Sequence, residues 1–559
     1  KSAHTRLCPV KKSIKSHPKE TAYRVKKTTK SAHTRLCPVK KSIKSHPHRS
    51  TFRTHCRSQF STVQSPNPAM SSQINVKIAQ DFLAFNQASA SEFHCTAEAV
   101  SLLKSAGFEQ LCEKNKWDIK PNGKYYVVRD QASIIAFAVG GQYTPESPMI
   151  GTFAHVDSPC LKLKPISKQS SADMLQVGIQ TYGGLLTHTW FDRDLSVAGR
   201  VFVNRGGKIT SELLCIKDPI LRIPNLAIHL DRTVSTDGFK PNTETSTVPI
   251  LASALADLGF EQLGKTDDAD VFKYPADGAK AASSCGKAAC GASPAEKLAA
   301  TFSVKHHSAF LQRIAFELKC EAKEIVDFEL NIYDTQPPAL NGLYKEFIVG
   351  RGLDNQLMSF ICTRSMIDAV QSGLESQKSL MLVGLFNHEE IGSMSTTGAD
   401  GNFLASVLGR INPTALPQSS ARSLWVSADM AHALHPNYTA KHEVNHRPMM
   451  QKGLVVKVNA NQRYASCLSS NAPLMLCAAE HDIPLQDFVV RNDVGCGSTI
   501  GAMMSAKTGI KTVDVGVPQW SMHSVRETAG VLDVQSSHKL LTQLYKQYAD
   551  YEEQFDCSL

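Results

Sequence analysis

No Cys-x-x-Cys pair occurs anywhere in the 559 residues, although 15 cysteines are present. Scattered thiols without metal-ligand spacing exclude a disulfide framework or a cysteine-built zinc site, and they fit a reducing, cytosol-like compartment. No stretch reaches the roughly 18 apolar residues of a membrane span, so no membrane partner is expected. Gly-x-Ser-x-Gly is missing too, which removes the nucleophile elbow of an α/β-hydrolase. Acidic residues are scarce in one region only: residues 1–69 hold 17 of the 61 Lys+Arg and a single acid, Glu20. The other 44 basic and 50 acidic residues leave the body at −6, so the net charge of +10 belongs to the arm. The body therefore carries no electrostatic signature of nucleic-acid binding.

What the arm does have is a duplication. KSAHTRLCPVKKSIKSHP at 1–18 recurs unchanged at 30–47. With few apolar residues and no amphipathic stretch, 1–69 is predicted to be disordered. A basic, acid-poor leader is compatible with organelle or vacuole targeting. A nucleic-acid arm would need the same charge but more aromatic residues to stack bases. Identity between the copies favours a third reading, in which the arm is non-native or translated leader and the fold starts near Met70.

Beyond Met70, Ile78, Phe82 and Phe85 recur at helical spacing, as do Ala97, Val100 and Leu103. Short strand-like runs follow: YYVV (125–128), SIIAFAV (133–139), MIGTFA (149–154), SLMLVGLF (379–386), LWVSA (424–428) and KTVDVGV (511–517). Helical patterns such as Leu357 to Val370 lie between them. Strands alternating with helices predict an α/β fold, a sheet with helices on both faces. The catalytic domain is expected to comprise 70–159 and 344–559. A strand-rich second domain, 160–343, is inserted between the two parts. Residues 275–300, rich in Ala, Gly, Ser and Lys, are expected to be a mobile surface loop.

The chemistry follows the apolar runs. MIGTFA leads into His155 and Asp157, SLMLVGLF into Glu389 and Glu390, LWVSA into Asp429, and KTVDVGV is followed closely by His523. Asp354 opens the helical segment after RGL. Ligands of open α/β sheets bind outside the carboxyl ends of the strands. Two imidazoles and several carboxylates delivered there suit a pair of divalent ions, because zinc accepts both donor types and a carboxylate can bridge. Two ions roughly 3.5–4 Å apart clamp an attacking oxygen and polarise a carbonyl. Of the Glu389-Glu390 doublet, one side chain can ligate while its neighbour faces water. Asp157, two residues beyond His155, can orient the imidazole. Any one acid after a strand is usually a turn residue or cap; the argument lies in the set.

Two other patterns carry less. His442-Glu443-Val444-Asn445-His446 matches the H-E-x-x-H zinc motif, but Pro448 and the polar Asn437-Tyr438-Thr439 stretch predict a loop instead of the helix that motif needs. The run Gly495 to Gly501 lacks the Gly-Lys-Ser/Thr ending of a phosphate loop and is expected to turn into a packed helix.

From about residue 75 to the C-terminus, long motifs resemble the M18 family of metalloaminopeptidases. They include AHVDSPCLKLKP (154–165), YGGLLTHTWFDRDLSVAGRV (182–201), RGLDNQ (351–356), HEEIGS (388–393), SADMAHALHPNY (427–438), KVNANQRYA (457–465) and MHSVRE (522–527). Within the family the chain looks nearest the branch that removes acidic residues. The resemblance implies a zinc-exopeptidase-like α/β/α catalytic domain and two Zn2+ per subunit, with Mn2+ or Co2+ as alternatives at one site. His155 and Asp429 would hold one ion, Glu390 and His523 the other, with Asp354 bridging. Glu389 would be the general base and Asp157 the acid steering His155. His229, His432, Lys457 and Tyr464 match substrate-contacting positions. His432 would help hold the oxyanion, and His229 would reach into a neighbouring subunit's site. The inserted section matches a dimerisation domain within a tetrahedral homododecamer. The partners implied are peptides with a free N-terminus, with the neutral-residue branch and a catalytically vestigial assembly protein as the alternatives. Two stretches depart from the family pattern, His388 directly before the doublet and Val494-Gly495.

Overall fold

The strands Met149–His155, Leu380–Phe386 and Leu424–Ala428 are buried along their whole length, as strands covered by helices on both faces must be. The computed structural model describes residues 76–254 and 293–555. These three strands form the middle of a nine-stranded sheet. Its order is Glu109–Gln110, Lys124–Arg129, Ser133–Val139, Leu380–Phe386, Met149–His155, Leu424–Ala428, Lys511–Gly516, Leu454–Lys457 and Leu485–Phe488. The run from Leu380–Phe386 to Lys511–Gly516 is parallel, so its carboxyl ends share one edge. The predicted α/β class and the strand positions agree with this to within one or two residues.

Each face of the sheet has its own core. On one side Phe82, Phe360, Ile361, Leu541 and Leu544 come from the helices Lys77–Ala88, Leu353–Gln371 and Val531–Glu552. On the other, Phe403, Val407 and Met504 come from Phe403–Ile411 and Gly501–Thr508 and pack with Phe153 and Trp425. The glycine run thus does turn into a packed helix.

A second sheet of six strands takes all of them from 160–334. In order they are Lys208–Cys215, Leu195–Arg205, Ile325–Asp334, Cys160–Ser171, Met174–Tyr182 and Ile250–Ser253. Every pairing in it is antiparallel. Its separate core includes Leu161, Val201, Phe310, Ile314 and Ile332. A smaller sheet of five strands contains Pro518–Trp520 and Glu527–Gly530, which flank His523.

The arm 1–69 and residues 275–292 lie outside the described residues. The rest of the expected loop 275–300 is a correction: Pro294–Ser303 is a helix. Glu296 N–H donates to Ser293 Oγ at 3.3 Å and Ser293 N–H to the Glu296 carboxylate at 2.7 Å. This reciprocal cap satisfies two orphan donors, Pro294 is preset for the first turn, and Ala299 and Phe302 are buried. No described helix is long and apolar enough to cross a membrane.

Candidate metal centre

At the shared carboxyl edge, His155 ends its strand, Asp429 follows Leu424–Ala428, and Glu389 and Glu390 sit in a tight turn after Leu380–Phe386. Asp354 stands at the start of Leu353–Gln371, where the backbone is not yet helical and the Asp354–Asn355 peptide is cis. His523 lies in the turn between Pro518–Trp520 and Glu527–Gly530. Gly516 lets the chain at Asp429 come close, since a Cβ there would lie 1.8 Å from Asp429 O.

All five expected ligands meet. His155 Nε2 is 3.4 Å from Asp354 Oδ1 and 3.4 Å from Asp429 Oδ1. His523 Nε2 is 3.5 Å from Asp354 Oδ2 and 3.4 Å from Glu390 Oε2. The donors among the described residues form three overlapping sets, His155–Asp354–Asp429, Asp354–Glu390–His523 and His155–Glu389–Glu390, in each of which the ligand atoms lie within 4.8 Å of one another. Asp354 belongs to the first two, one oxygen facing each imidazole. Glu389 Oε2 stands 3.8 Å from His155 Nε2.

Within the cluster, three of the buried polar atoms have no hydrogen-bond partner: His155 Nε2, Asp354 Oδ1 and Glu390 Oε1. Orphaned atoms of this kind are rare in folded proteins, and all three are donors suited to a divalent cation. The electrostatics agree. Burial pushes Glu389 up to about 8, opposed by His155 and reinforced by Asp429, Asp157 and Asp354. Burial and Asp354 raise Glu390 well above the carboxylate range. Burial alone would lower His155, but Asp157, Asp354 and Asp429 outweigh it and raise it. Carboxylates so crowded want positive charge, which a divalent cation would supply while leaving the imidazoles neutral.

Asp157 contacts more than the imidazole it was expected to steer. His155 Nδ1 meets the main-chain oxygen of Asp157 at 3.0 Å, with the carboxylate at 3.5 Å. The carboxylate's stronger bonds go elsewhere. It accepts from the N–H groups of Glu389 (3.2 Å) and Glu390 (3.1 Å) and from Tyr182 Oη–H (2.7 Å). Asp157 therefore fixes the turn that carries both glutamates as well as the imidazole.

Lys457 is 2 % exposed and ends its strand. Its Nζ donates to Asp429 Oδ2 and Met430 O, both at 3.1 Å, and lies over the Tyr464 ring. Tyr464 is buried, and His432 packs edge-on against Phe488. His229 is not brought in: it sits on an exposed turn between Ile228 and Leu230, outside the donor sets. His388 turns away from the cluster with φ +64° and meets Ser395 Oγ at 2.8 Å through Nδ1. The H-E-x-x-H stretch is a loop, as predicted, with His446 Nδ1 2.6 Å from Glu443.

Sequence reading gave no role to Tyr182, Gly183, Gly184 or Glu527, although each lies in a quoted motif. Gly183 has φ +71°, and a Cβ there would press on Glu390 Cβ at 3.2 Å. Gly184 O lies 3.0 Å from His523 Nδ1 and orients that ring. Glu527 accepts the N–H groups of both Asp354 and His523.

Two imidazoles and a shared carboxylate at the edge of an open parallel sheet fit a metal-dependent hydrolase. The profile described as "Aminopeptidase I zinc metalloprotease (M18)" matches residues 85–545. A probable aspartyl aminopeptidase of Ricinus communis is 42% identical over 492 residues, covering 85% of this chain and 96% of its own. The aspartyl aminopeptidase of Dictyostelium discoideum is 41% identical over 484 residues, covering 84% and 96%. Among solved structures, a chain of the cryo-EM structure of the Ape4 and Nbr1 complex superposes with a TM-score of 0.77 at 36% identity, covering 87% of this chain and 89% of that one. The S. cerevisiae mApe1 dodecamer gives 0.71 at 26% identity, covering 86% and 99%. The chain belongs to the M18 family of zinc metalloproteases, and it is a metalloaminopeptidase.

Proposed function

We propose that this aminopeptidase is dinuclear and removes N-terminal Asp or Glu from peptides with a free α-amine. The observation that carries the two-ion reading is Asp354, whose Oδ1 faces His155 and whose Oδ2 faces His523. His155, Asp354 and Asp429 would hold one zinc, and Asp354, Glu390 and His523 the other. Bound there, the ions supply an acidified water and a polarised scissile carbonyl.

The remaining steps belong to side chains. Glu389, fixed through its N–H to Asp157, receives the water's proton and hands it to the leaving amine. His432 donates to the developing oxyanion. Asp157, Asp354, Glu389, Glu390, Asp429 and Glu527 formally oppose one cation, Lys457. Two held dications reduce that excess to a single negative charge, which suits a substrate's ammonium group and restricts cleavage to the N-terminus. Lys457 uses two donors on Asp429 and Met430; an ammonium has three, so one remains for an acidic substrate side chain. The names of the Ricinus and Dictyostelium relatives support that preference. Hydrolysis of Asp-, Glu- and Leu-anilides tests it: acidic anilides should be cleaved faster, and equal or faster Leu turnover overturns it.

The six-stranded domain is read as the dimerisation element of a dodecamer, supported by the mApe1 dodecamer among the structural relatives. Leu226, Ile228 and Leu230, exposed by 63%, 50% and 75% beside His229, are suited to a neighbouring subunit.

A further inference from the structure

Glu527 is 1 % exposed, and its two oxygens grip two main chains. Oε2 accepts the Asp354 N–H at 2.8 Å, and Oε1 accepts the His523 N–H at 2.6 Å. Asp354 and His523 belong to the same donor set, the one completed by Glu390. The neighbouring Arg526 is anchored in turn. Its guanidinium donates to the Asp334 carboxylate at 3.1 Å and to the main-chain oxygens of Gln336 and Pro337 at 2.8 and 2.9 Å. The pair Arg526-Glu527 therefore fastens the end of the strand Ile325–Asp334 to one half of the centre. The other half shares Asp354 but has further supports of its own: His155 is oriented by Asp157, and its main-chain oxygen accepts from Ser359 Oγ–H at 2.7 Å.

We infer that Glu527 is a positioning residue that sets the geometry of the cation pocket on the His523 side, where it holds two of the three ligands, and acts on the pocket on the His155 side only through the shared Asp354. The inference rests on the two-ion reading above. A buried carboxylate beside Asp354 is electrostatically unfavourable by itself, and accepting two charge-assisted N–H bonds is what that position offers. Glutamine matches it in shape but has one acceptor oxygen and an NH2 group that confronts the other N–H donor, so one ligand-bearing segment is released. Aspartate keeps the charge but, one methylene shorter, does not span both donors.

The test uses the full chain stripped of metal by chelation and titrated with Zn2+ in a metal buffer. Bound zinc is counted, and thermal unfolding of the stripped protein is recorded alongside. Wild type should take two ions. Glu527→Gln should bind one ion about 10–100-fold more weakly, a usual effect of losing a residue that orients a ligand, and the other, whose pocket it reaches through Asp354 alone, with a smaller loss. Peptidase activity should then recover as free zinc is raised. Glu527→Asp should change in the same direction and keeps the test open if the glutamine variant does not fold. Unchanged affinity for both ions overturns the inference, and so does an equal loss of both or a turnover deficit that excess zinc does not repair. A wild-type chain holding one ion would refute the two-ion reading and the inference with it, and that result needs no variant.

Discussion

The nine-stranded and six-stranded sheets differ in what their strand ends can deliver. In the first, four neighbouring strands run parallel, three of them buried throughout, so their carboxyl ends gather loops from distant parts of the sequence on one edge. In the second, neighbours alternate in direction and much of the surface stays open; Phe202 and Ile209 are 39% and 46% exposed. Such a sheet cannot collect its loops on one edge. Two of its strands nevertheless end at the crevice: Met174–Tyr182 delivers Tyr182, Gly183 and Gly184, and Ile325–Asp334 delivers Asp334. Parallel strands thus supply His155, Glu389, Glu390 and Asp429, a helix start and the five-stranded sheet add Asp354 and His523, and the six-stranded sheet braces them.

That division breaks most sharply at Glu389. If the base comes from the parallel sheet, Glu389→Gln should lower kcat about 10²–10⁴-fold, the range for a positioned acid–base group. Zinc content measured on the same sample should not change. A loss below about tenfold would place the base elsewhere.

Bracing is tested at Tyr182. Tyr182→Phe removes the 2.7 Å bond to Asp157 Oδ2 and little else. A hydrogen bond to a charged group contributes about 1.5–3 kcal/mol. If that energy holds the Glu389–Glu390 turn in place during the reaction, kcat should fall about tenfold to hundredfold with KM nearly constant. A variant with wild-type kcat would reduce the inserted sheet to an assembly surface.

The same contrast explains what was legible beforehand. Ser133–Val139 and Leu424–Ala428 read correctly to the residue because strands buried on both faces are continuous apolar runs with polar residues beyond them. The five ligand positions stood out because each is polar within a few residues of such a run or at a helix start. Glu527 did not. It contacts main-chain N–H groups 173 and 4 residues away, and no local pattern distinguishes it from a surface glutamate. The burial of Lys457 has no local signal either, since it comes from Asp429 and Tyr464, which reach it only through the fold. The helix Pro294–Ser303 was missed although its signal was local: the Ala- and Lys-rich composition of 275–300 outweighed the Ser293-x-x-Glu296 cap.

That cap gives the smallest effect and the cleanest separation of the two sheets. Ser293 is exposed, and its helix packs Phe302 against Phe328 and His306 in the core of the inserted domain. Ser293→Ala removes an acceptor for the Glu296 N–H at a cost of about 1 kcal/mol. No bond links it to the metal centre, so kcat and zinc content should stay at wild-type values. The cost should appear as local opening: amides of 294–303 should exchange with deuterium about fivefold faster, the factor that 1 kcal/mol represents. Ser293→Thr, which keeps the oxygen, should restore slow exchange. A fall in kcat with Ser293→Ala would mean that looseness in this helix reaches the catalytic edge through the strand Ile325–Asp334, and the two sheets would then have to be treated as one mechanical unit.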